Sequence, residues 1–414
     1  MLTRMTIWIL VVVLMASVTA LGYRQGAVRV AFSLVGILLG MWLALPLSPW
    51  VGKVLGWVGV KHPFWAWILP PVIVFWILNG LFKAIAFQVH RKVDVFFKYH
   101  AGDLHRALFE RLNARLGACL GVVNGTLYTV LVCLGIYVFG YWTTQLGSQE
   151  GDPWTMRLFN RLARDLEATR LHRAVAALDP LPDIYYQAAD FVGLVFHNPM
   201  LEGRLARYPA LLEIAERQEF QGFAQDTSWA QLRQGRAPLR EVLAHPQVTA
   251  IMQNLDLLRE IWGIVEPDLD DLMAYLESGR SPKYEKEPIL GAWAFDFRSA
   301  FILYRKANPR MTALQLREAR KYLSGIFLNT SLIAAPSGFV ALKNYPVPRP
   351  PRPGETGPVI EHRKLTGRWK SENGQYIIEV EQDGQTLQWP AEVSGDKLQI
   401  PSANPPLAFE RDTV

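Results

Sequence analysis

The sequence predicts a membrane all-α four-helix bundle at the N-terminus, followed by a soluble helical domain and a small β-rich C-terminal region. Three observations predict it. Residues 1–142 are dominated by Val, Leu, Ile, Gly and Trp, in apolar runs long enough to cross a bilayer. Residues 143–414 have ordinary globular composition. Near the C-terminus, apolar residues change from a helical period to strict alternation. The 414 residues accordingly divide into a four-span region (1–145), a helical segment (150–285), a mixed α/β segment (286–345), a Pro-rich linker (346–360) and an antiparallel β segment (361–414).

Four spans are expected, at about Met5–Tyr23, Val28–Leu47, Phe64–Phe87 and Leu116–Trp142. Pro46, Pro70 and Pro71 fall near span ends, where a lost backbone hydrogen bond is tolerated. Trp50, Trp57, Trp65, Trp67 and Trp142 also sit near span ends, as an interfacial aromatic belt requires. Span one has a basic residue before it (Arg4) and small residues at Ala16–Ala20. Its long apolar run and the immediate second span favour a retained helix over a cleaved signal peptide.

Basic residues set the orientation. Lys83, Arg91, Lys92, Lys98, Arg106, Arg111 and Arg115 lie between spans three and four, against Asp94, Asp103 and Glu110. The turn after span one adds Arg24 and Arg29, whereas the other side offers Arg4, Lys53 and Lys61. The positive-inside rule puts both basic loops in the cytoplasm and both termini outside. Leu104, Leu108, Phe109 and Leu112 share one helical face, which suits an amphipathic helix at an anionic leaflet or a solvated topogenic loop.

Gly117, Gly121 and Gly125 recur every four residues, and Gly36 and Gly40 repeat the spacing. Such faces let helices approach closely, within the bundle or across a homo-oligomer interface. Asn79, Asn113 and Asn124 lie near them and are suited to interhelical hydrogen bonds. No acid is embedded mid-span, which argues against a proton-coupled transporter.

These residues resemble a known family. The turn Gly22-Tyr23-Arg24-Gln25-Gly26-Ala27-Val28-Arg29 leads into a glycine-containing span, and Asn113-Ala114-Arg115-Leu116-Gly117 leads into Gly121 and Asn124-Gly125. In order and spacing they resemble the two signature stretches of the colicin V production protein family (CvpA), over roughly residues 5–145. Met5 and Thr6 stand where that family often carries an acid, as does Val30 after the turn, and Asn124 replaces a frequent basic residue. The resemblance implies a bacterial inner-membrane protein involved in toxin production or export and in envelope homeostasis. Some members carry a periplasmic serine protease domain after the spans.

Beyond the spans, Met156, Phe159, Leu162, Ala163 and Leu166 follow a helical period. So do Leu239, Val242 and Leu243, with a break at His245-Pro246. Further breaks at Asp179-Pro180-Leu181-Pro182, Asn198-Pro199 and Glu266-Pro267 suggest six to eight short helices packed as one unit. In the tail, Gly291-Ala292-Trp293 and Gly367-Arg368-Trp369 are two Gly-x-Trp stretches. Thr312–Tyr322 reads as helix and Ile326–Ala334 as extended. Tyr376, Ile378 and Val380 alternate with polar residues, and Leu387/Trp389 and Leu398/Ile400 mark later strands. Turn signals stand at Asp383-Gly384 and Ser394-Gly395-Asp396. A Gly-x-Trp strand start resembles lipocalin-like barrels and would suit a lipid- or peptide-binding domain. Two small separate sheets, each with Trp293 or Trp369 as core anchor, are the simpler expectation.

Catalytic groupings are not expected. There is no Gly-x-Ser-x-Gly, His-Glu-x-x-His, Cys-x-x-Cys or P-loop. Ser337-Gly338 reads as a hairpin turn, His197 and His245 as helix-end caps, and Glu266–Asp271 as acids at a helix N-terminus. His172 and His362 stand in unrelated surroundings. Cys119 and Cys133 fall in one helix about 21 Å apart, beyond disulfide reach. The net charge of +6 does not imply nucleic acid, because the densest basic cluster is topogenic. No cofactor or metal is implied. The expected function is a non-enzymatic anchor for a periplasmic interaction domain, with the lipid bilayer, an envelope protein or peptide and a homo-oligomer as partners. An oligomeric export channel and a membrane-anchored periplasmic hydrolase are the alternatives.

Overall fold

The computed structural model describes residues 6–59, 63–147, 151–169, 171–349, 359–372, 374–382 and 384–412. They group into a bundle unit, Met1–His197 with Leu232–Trp262, and a barrel unit, Asn198–Gln231 with Gly263–Val414.

The bundle unit begins with α1 (Thr6–Gln25), α2 (Ala27–Val58), α3 (Pro63–Tyr99) and α4 (Asp103–Gln145), all long and apolar enough to cross a membrane. Three of them, α2, α3 and α4, clearly outrun the expected spans. α2 continues through Pro46 and Pro49 and stops only at Gly59, which adopts a left-handed cap. The stretch expected as a loop between spans three and four is helical too. α3 continues to Tyr99, and α4 starts at Asp103 because no Gly or Pro interrupts 103–116. At 1.5 Å per residue, the 43 residues of α4 span about 64 Å, roughly twice a hydrocarbon core. The amphipathic stretch at Leu104–Leu112 is therefore the first part of α4 itself, where Phe109 stacks on Phe97 at 4.1 Å.

Between Trp154 and Ser278 the described residues form eleven α-helices, more than the six to eight expected. They are α5 (Trp154–Glu167), α6 (Leu171–Ala176), α7 (Asp183–His197), α8 (Met200–Arg207), α9 (Leu212–Ala215), α10 (Gln218–Gln225), α11 (Thr227–Gln234), α12 (Leu239–Ala244), α13 (Pro246–Gln253), α14 (Leu255–Val265) and α15 (Leu269–Ser278). The excess has a chain-level cause. Pro199 and Pro238 sit at helix N-caps, Pro246 opens α13, and Pro209 and Pro267 start 3₁₀ turns, so nearly every proline begins a new element. These helices also do not pack as one unit, since they divide between bundle and barrel units.

The barrel unit closes on eight antiparallel strands in sequence order. They are β1 (Gly291–Phe295), β2 (Ser331–Ala334), β3 (Phe339–Arg349), β4 (Val359–Glu372), β5 (Gln375–Gln382), β6 (Gln385–Ser394), β7 (Lys397–Ile400) and β8 (Leu407–Arg411). Two helices, α16 (Phe297–Ala307) and α17 (Ala313–Ile326), stand between β1 and β2. Closure overturns the expectation of two separate small sheets. β1 pairs with both β2 and β8, so the two Gly-x-Trp stretches belong to one closed barrel. The start of the expected Pro-rich linker is corrected likewise, because Pro346–Arg349 continue β3. β2 accompanies β3 only as far as Lys343, and beyond it β3 has a single neighbour, so Pro346 and Pro348 withhold no needed N–H. Residues 350–358 of that linker, and Asp383 of the expected turn, lie outside the described residues. Gly384 and Gly395 adopt positive φ at the β5–β6 and β6–β7 turns.

An eight-stranded barrel encloses little more than its own side chains. Here Leu332, Leu342, Ile378, Val380, Leu398 and Phe409 form one buried cluster with Trp293 and Trp389. Trp293 donates its indole N–H to the Ile289 carbonyl at 2.8 Å. Arg411 of β8 lies 4.4 Å over the Trp293 ring and donates to the Leu290 and Pro288 carbonyls, both at 2.7 Å. Gly291, at φ 127°, makes this possible: a β-carbon there would stand 3.0 Å from Arg411 Nη1. Trp369 is only half-buried; it donates to the Ala335 carbonyl at 2.8 Å and packs on Tyr376. Helices of the unit are fixed to the barrel by Glu216, which pairs with Lys343 and Lys364, and by Arg207, which pairs with Asp412.

Trp293→Ala is expected to cost about 3–5 kcal/mol, and Trp369→Ala clearly less. Urea titration of the purified protein, read by protease resistance of residues 285–414, measures both.

Candidate functional site

The bundle is organised by its glycines. α1 and α4 meet where Gly22 faces Gly117 and Gly121, and a methyl group on Gly22 would stand 2.5 Å from the Gly117 carbonyl oxygen. Gly117 is blocked in return by the backbone of Gly22 and Gly26. A β-carbon on Gly121 would stand 3.1 Å from Thr19 Cα, and one on Gly125 3.1 Å from Met15 Sδ. The stripe on α4 therefore serves α1, and the turn after α1 lies against the start of the same stripe. Gly36 and Gly40 perform the same task between α2 and α3: a β-carbon there would stand 2.7 Å from Phe82 Cβ and 2.9 Å from Phe75 Cδ2, respectively.

The turn itself is clamped. Gly26 has φ 81°, a left-handed conformation, and any side chain there would collide with Asn113. Asn113 Oδ1 accepts the Val28 N–H at 3.3 Å, one of the first-turn donors that α2 cannot satisfy internally. Arg24 closes the last turn of α1, where a cation opposes the helix dipole, and Arg29 lies 5.4 Å over the Phe87 ring. Deeper in, Asn124 donates to Ser33 Oγ at 3.3 Å, and Asn79 is 2% exposed with Oδ1 unpartnered. Arg91 and Lys92 are exposed on α3.

Residues 7–157 match the family model described as colicin V production protein. That stretch holds all four apolar helices and both glycine stripes, so it is the N-terminal region of the chain that is similar to the colicin V production family. No curated protein and no solved structure matches the chain.

The colicin V production region carries further helices on its other end, attached through contacts with no signature in the sequence. Gly140 of α4 admits Ala163 of α5, and Leu166 and Val175 join Ile7, Cys133 and Ile136 in one buried cluster. α7 docks through Asp190, whose Oδ1 accepts from Tyr141 at 2.8 Å and Gln145 at 2.7 Å. Tyr185, fully buried, donates to the Val138 carbonyl at 3.2 Å and meets Trp67 and Trp142 edge-on. Burial, and then the Asp179 charge, push the Tyr185 hydroxyl well above its ordinary range. His197 donates to the Gln145 carbonyl at 2.8 Å, capping the end of α4. His245 stands at the N-cap of α13, and its side chain makes no capping bond there. His172 meets Tyr137 edge-on, and His362 donates to the Ile326 carbonyl.

In the barrel unit the acidic stretch sits at the start of α15, as expected, yet its carboxylates serve a tertiary network. Asp271 Oδ2 accepts from Tyr208 at 2.8 Å and Ser281 at 2.5 Å, while its Oδ1 takes the Lys283 N–H at 2.9 Å. Asp268, 4% exposed, accepts from Tyr284 at 2.6 Å and pairs with Lys283. Ser337 lies in the β2–β3 turn and donates to Glu213. Sequence reasoning also passed over a run of cations in α16 and α17, which was legible as composition: Arg298, Arg305, Lys306, Arg310, Arg317, Arg320 and Lys321.

Burial and the neighbouring aspartates hold the Tyr208 and Tyr284 hydroxyls well above the usual tyrosine range. A pKa raised on folding stabilises the fold fully below the unfolded value near 10. That contribution is lost as pH rises beyond it. Absorbance titration at 295 nm should show these two phenols ionising only as the barrel unit unfolds, and Tyr208→Phe with Tyr284→Phe should flatten the alkaline decline. In the bundle, Gly117→Leu and Gly121→Leu should each cost about 1–3 kcal/mol or more through overpacking. Gly135→Leu, which meets nothing within 4 Å, should leave the melting temperature in detergent unchanged.

Proposed function

We propose that this chain is a non-enzymatic bacterial inner-membrane protein whose glycine-packed bundle anchors a periplasmic tail. The tail binds another envelope component, in toxin production or export or in envelope homeostasis. The observation that carries the reading is the gathering of cations at one end of the bundle. Arg24 and Arg29 flank the α1–α2 turn, and that turn is bonded to Asn113 beside Arg111 and Arg115, so the two basic clusters of the spans share one end. The positive-inside rule assigns that end to the cytoplasm. α5 and α7 dock at the opposite end, around Ile7, Gly140 and Gln145, which supports the reading of a tail outside the cytoplasm.

A binding role is favoured over chemistry by how the polar groups are used. Ser281, Ser337, Asp268, Asp271, His197 and His362 all hold backbone or side-chain neighbours. The barrel interior is occupied by its own side chains, which favours recognition on the outer surface.

Fusions of a reporter active only outside the cytoplasm, placed after residues 100, 150 and 414, test the topology. Activity at 150 and 414 but not at 100 is expected. The reverse pattern would place the tail in the cytoplasm and overturn the proposal.

A further inference from the structure

The segment 296–330 between β1 and β2, which holds the α16–α17 hairpin, carries seven cations and two acids, Asp296 and Glu318, of which Asp296 pairs with Lys397. All seven cations are exposed, and no carboxylate among the described residues pairs with any of them. Elsewhere in the same unit, Lys343 and Lys364 are matched to Glu216, Lys283 to Asp268 and Arg207 to Asp412. Exposed apolar side chains are interleaved with the cations: Ile302 is 65% exposed, Leu314 55%, Tyr322 46% and Leu328 61%.

The pattern follows helical geometry. On α16, Arg298, Ile302, Arg305 and Lys306 recur at three- and four-residue steps on one face, while Ala300 and Leu303 pack towards the barrel core. On α17, Leu314, Arg317 and Lys321 lie opposite the stripe of Leu323 and Phe327, which is buried. Both helices are firmly started. Asp296 caps α16 through the Arg298 and Ser299 N–H groups, and Thr312 and Gln315 form a capping box on α17. The outer face is thus a fixed surface of alternating cation and apolar side chain.

We propose that this face docks on an anionic phospholipid bilayer, with the cations on lipid phosphates and Ile302, Leu314, Tyr322 and Leu328 in the headgroup layer. Charge complementarity calls for an anionic surface, and the interleaved apolar residues favour a bilayer over a soluble polyanion. The chain also brings its own membrane, since its four apolar helices tether the barrel near one. The proposal rests on the membrane reading but not on which side the tail occupies, so it and the reporter fusions fail independently.

The test uses the full chain in nanodiscs, with Cys119→Ala, Cys133→Ala and Leu314→Cys, and an environment-sensitive fluorophore on the introduced thiol. Discs of phosphatidylcholine alone are compared with discs containing phosphatidylglycerol. The expected result is a blue shift and quenching by nitroxide-labelled lipid only in the anionic discs, both lost in high salt. Arg317→Glu with Arg320→Glu and Lys321→Glu should abolish the shift; these side chains are exposed and unpaired, so the fold keeps its contacts. A fluorophore placed by Thr386→Cys on β6 should stay aqueous throughout. An aqueous spectrum at position 314 in both discs, or an equal shift in both, overturns the proposal. So does a shift produced only by added heparin, which would assign the face to a polyanionic polymer.

Discussion

The backbone contact between α1 and α4 is the constraint on which the rest of the bundle depends. In an apolar medium the hydrophobic effect does not draw helices together, so association rests on close packing and on the few available hydrogen bonds. Gly22 and Gly117 let the two backbones touch, and that contact brings Gly26 within reach of Asn113. The Asn113 side chain then takes the Val28 N–H and fixes how α2 departs. α2 in turn receives α3 through Gly36 and Gly40, each filled by a phenylalanine. At the far end of α4 the same device recurs, where Gly140 admits Ala163. One chemical idea, a missing side chain opposite a backbone or a ring, thus sets each contact in order.

The barrel obeys a different constraint. Its first two strands are short, five and four residues, and are separated by two helices. Such strands have little stability alone and depend on closure. Trp293 and Arg411 join β1 to β8 where the chain must meet itself, through a stacked guanidinium that also holds the Leu290 and Pro288 carbonyls. Burial lowers the Arg411 pKa, and the Asp396 carboxylate offsets part of that shift. The second Gly-x-Trp has a humbler role. Gly367 lets the β5 backbone come close, and Trp369 covers the β2–β3 turn.

What was legible in the sequence was whatever is encoded locally. Apolar runs revealed four spans, four-residue spacing revealed the glycine faces, and the Tyr376–Val380 alternation revealed β5. Helix ends were misjudged where hydropathy fell but no breaker stood, as along 103–116. Barrel closure was hidden because the β1–β8 pairing joins residues more than a hundred positions apart. Contacts such as Asp190 with Tyr141 and Gln145 were hidden for the same reason. An aspartate in an amphipathic helix carries no sign that its partner is the end of a membrane span.

The charges separate what folding requires from what it does not. Glu216 is nearly buried and holds two lysines of the barrel, and Asp268 is buried and holds Lys283 and Tyr284. Removing either partner would leave a buried carboxylate uncompensated, so these cations belong to the fold. Arg24 and Arg29 stand at helix ends in the bundle, where dipole and ring contacts employ them. The hairpin cations have no such use. Seven like charges in one helical hairpin repel one another, and Ile302 and Leu314 stand exposed in the same hairpin rather than in the core. Lys343, Lys364, Lys283 and Arg207 each meet a carboxylate within the barrel unit, whereas no carboxylate among the described residues meets the hairpin cations. Anionic lipid would supply that counter-charge from outside the folded chain.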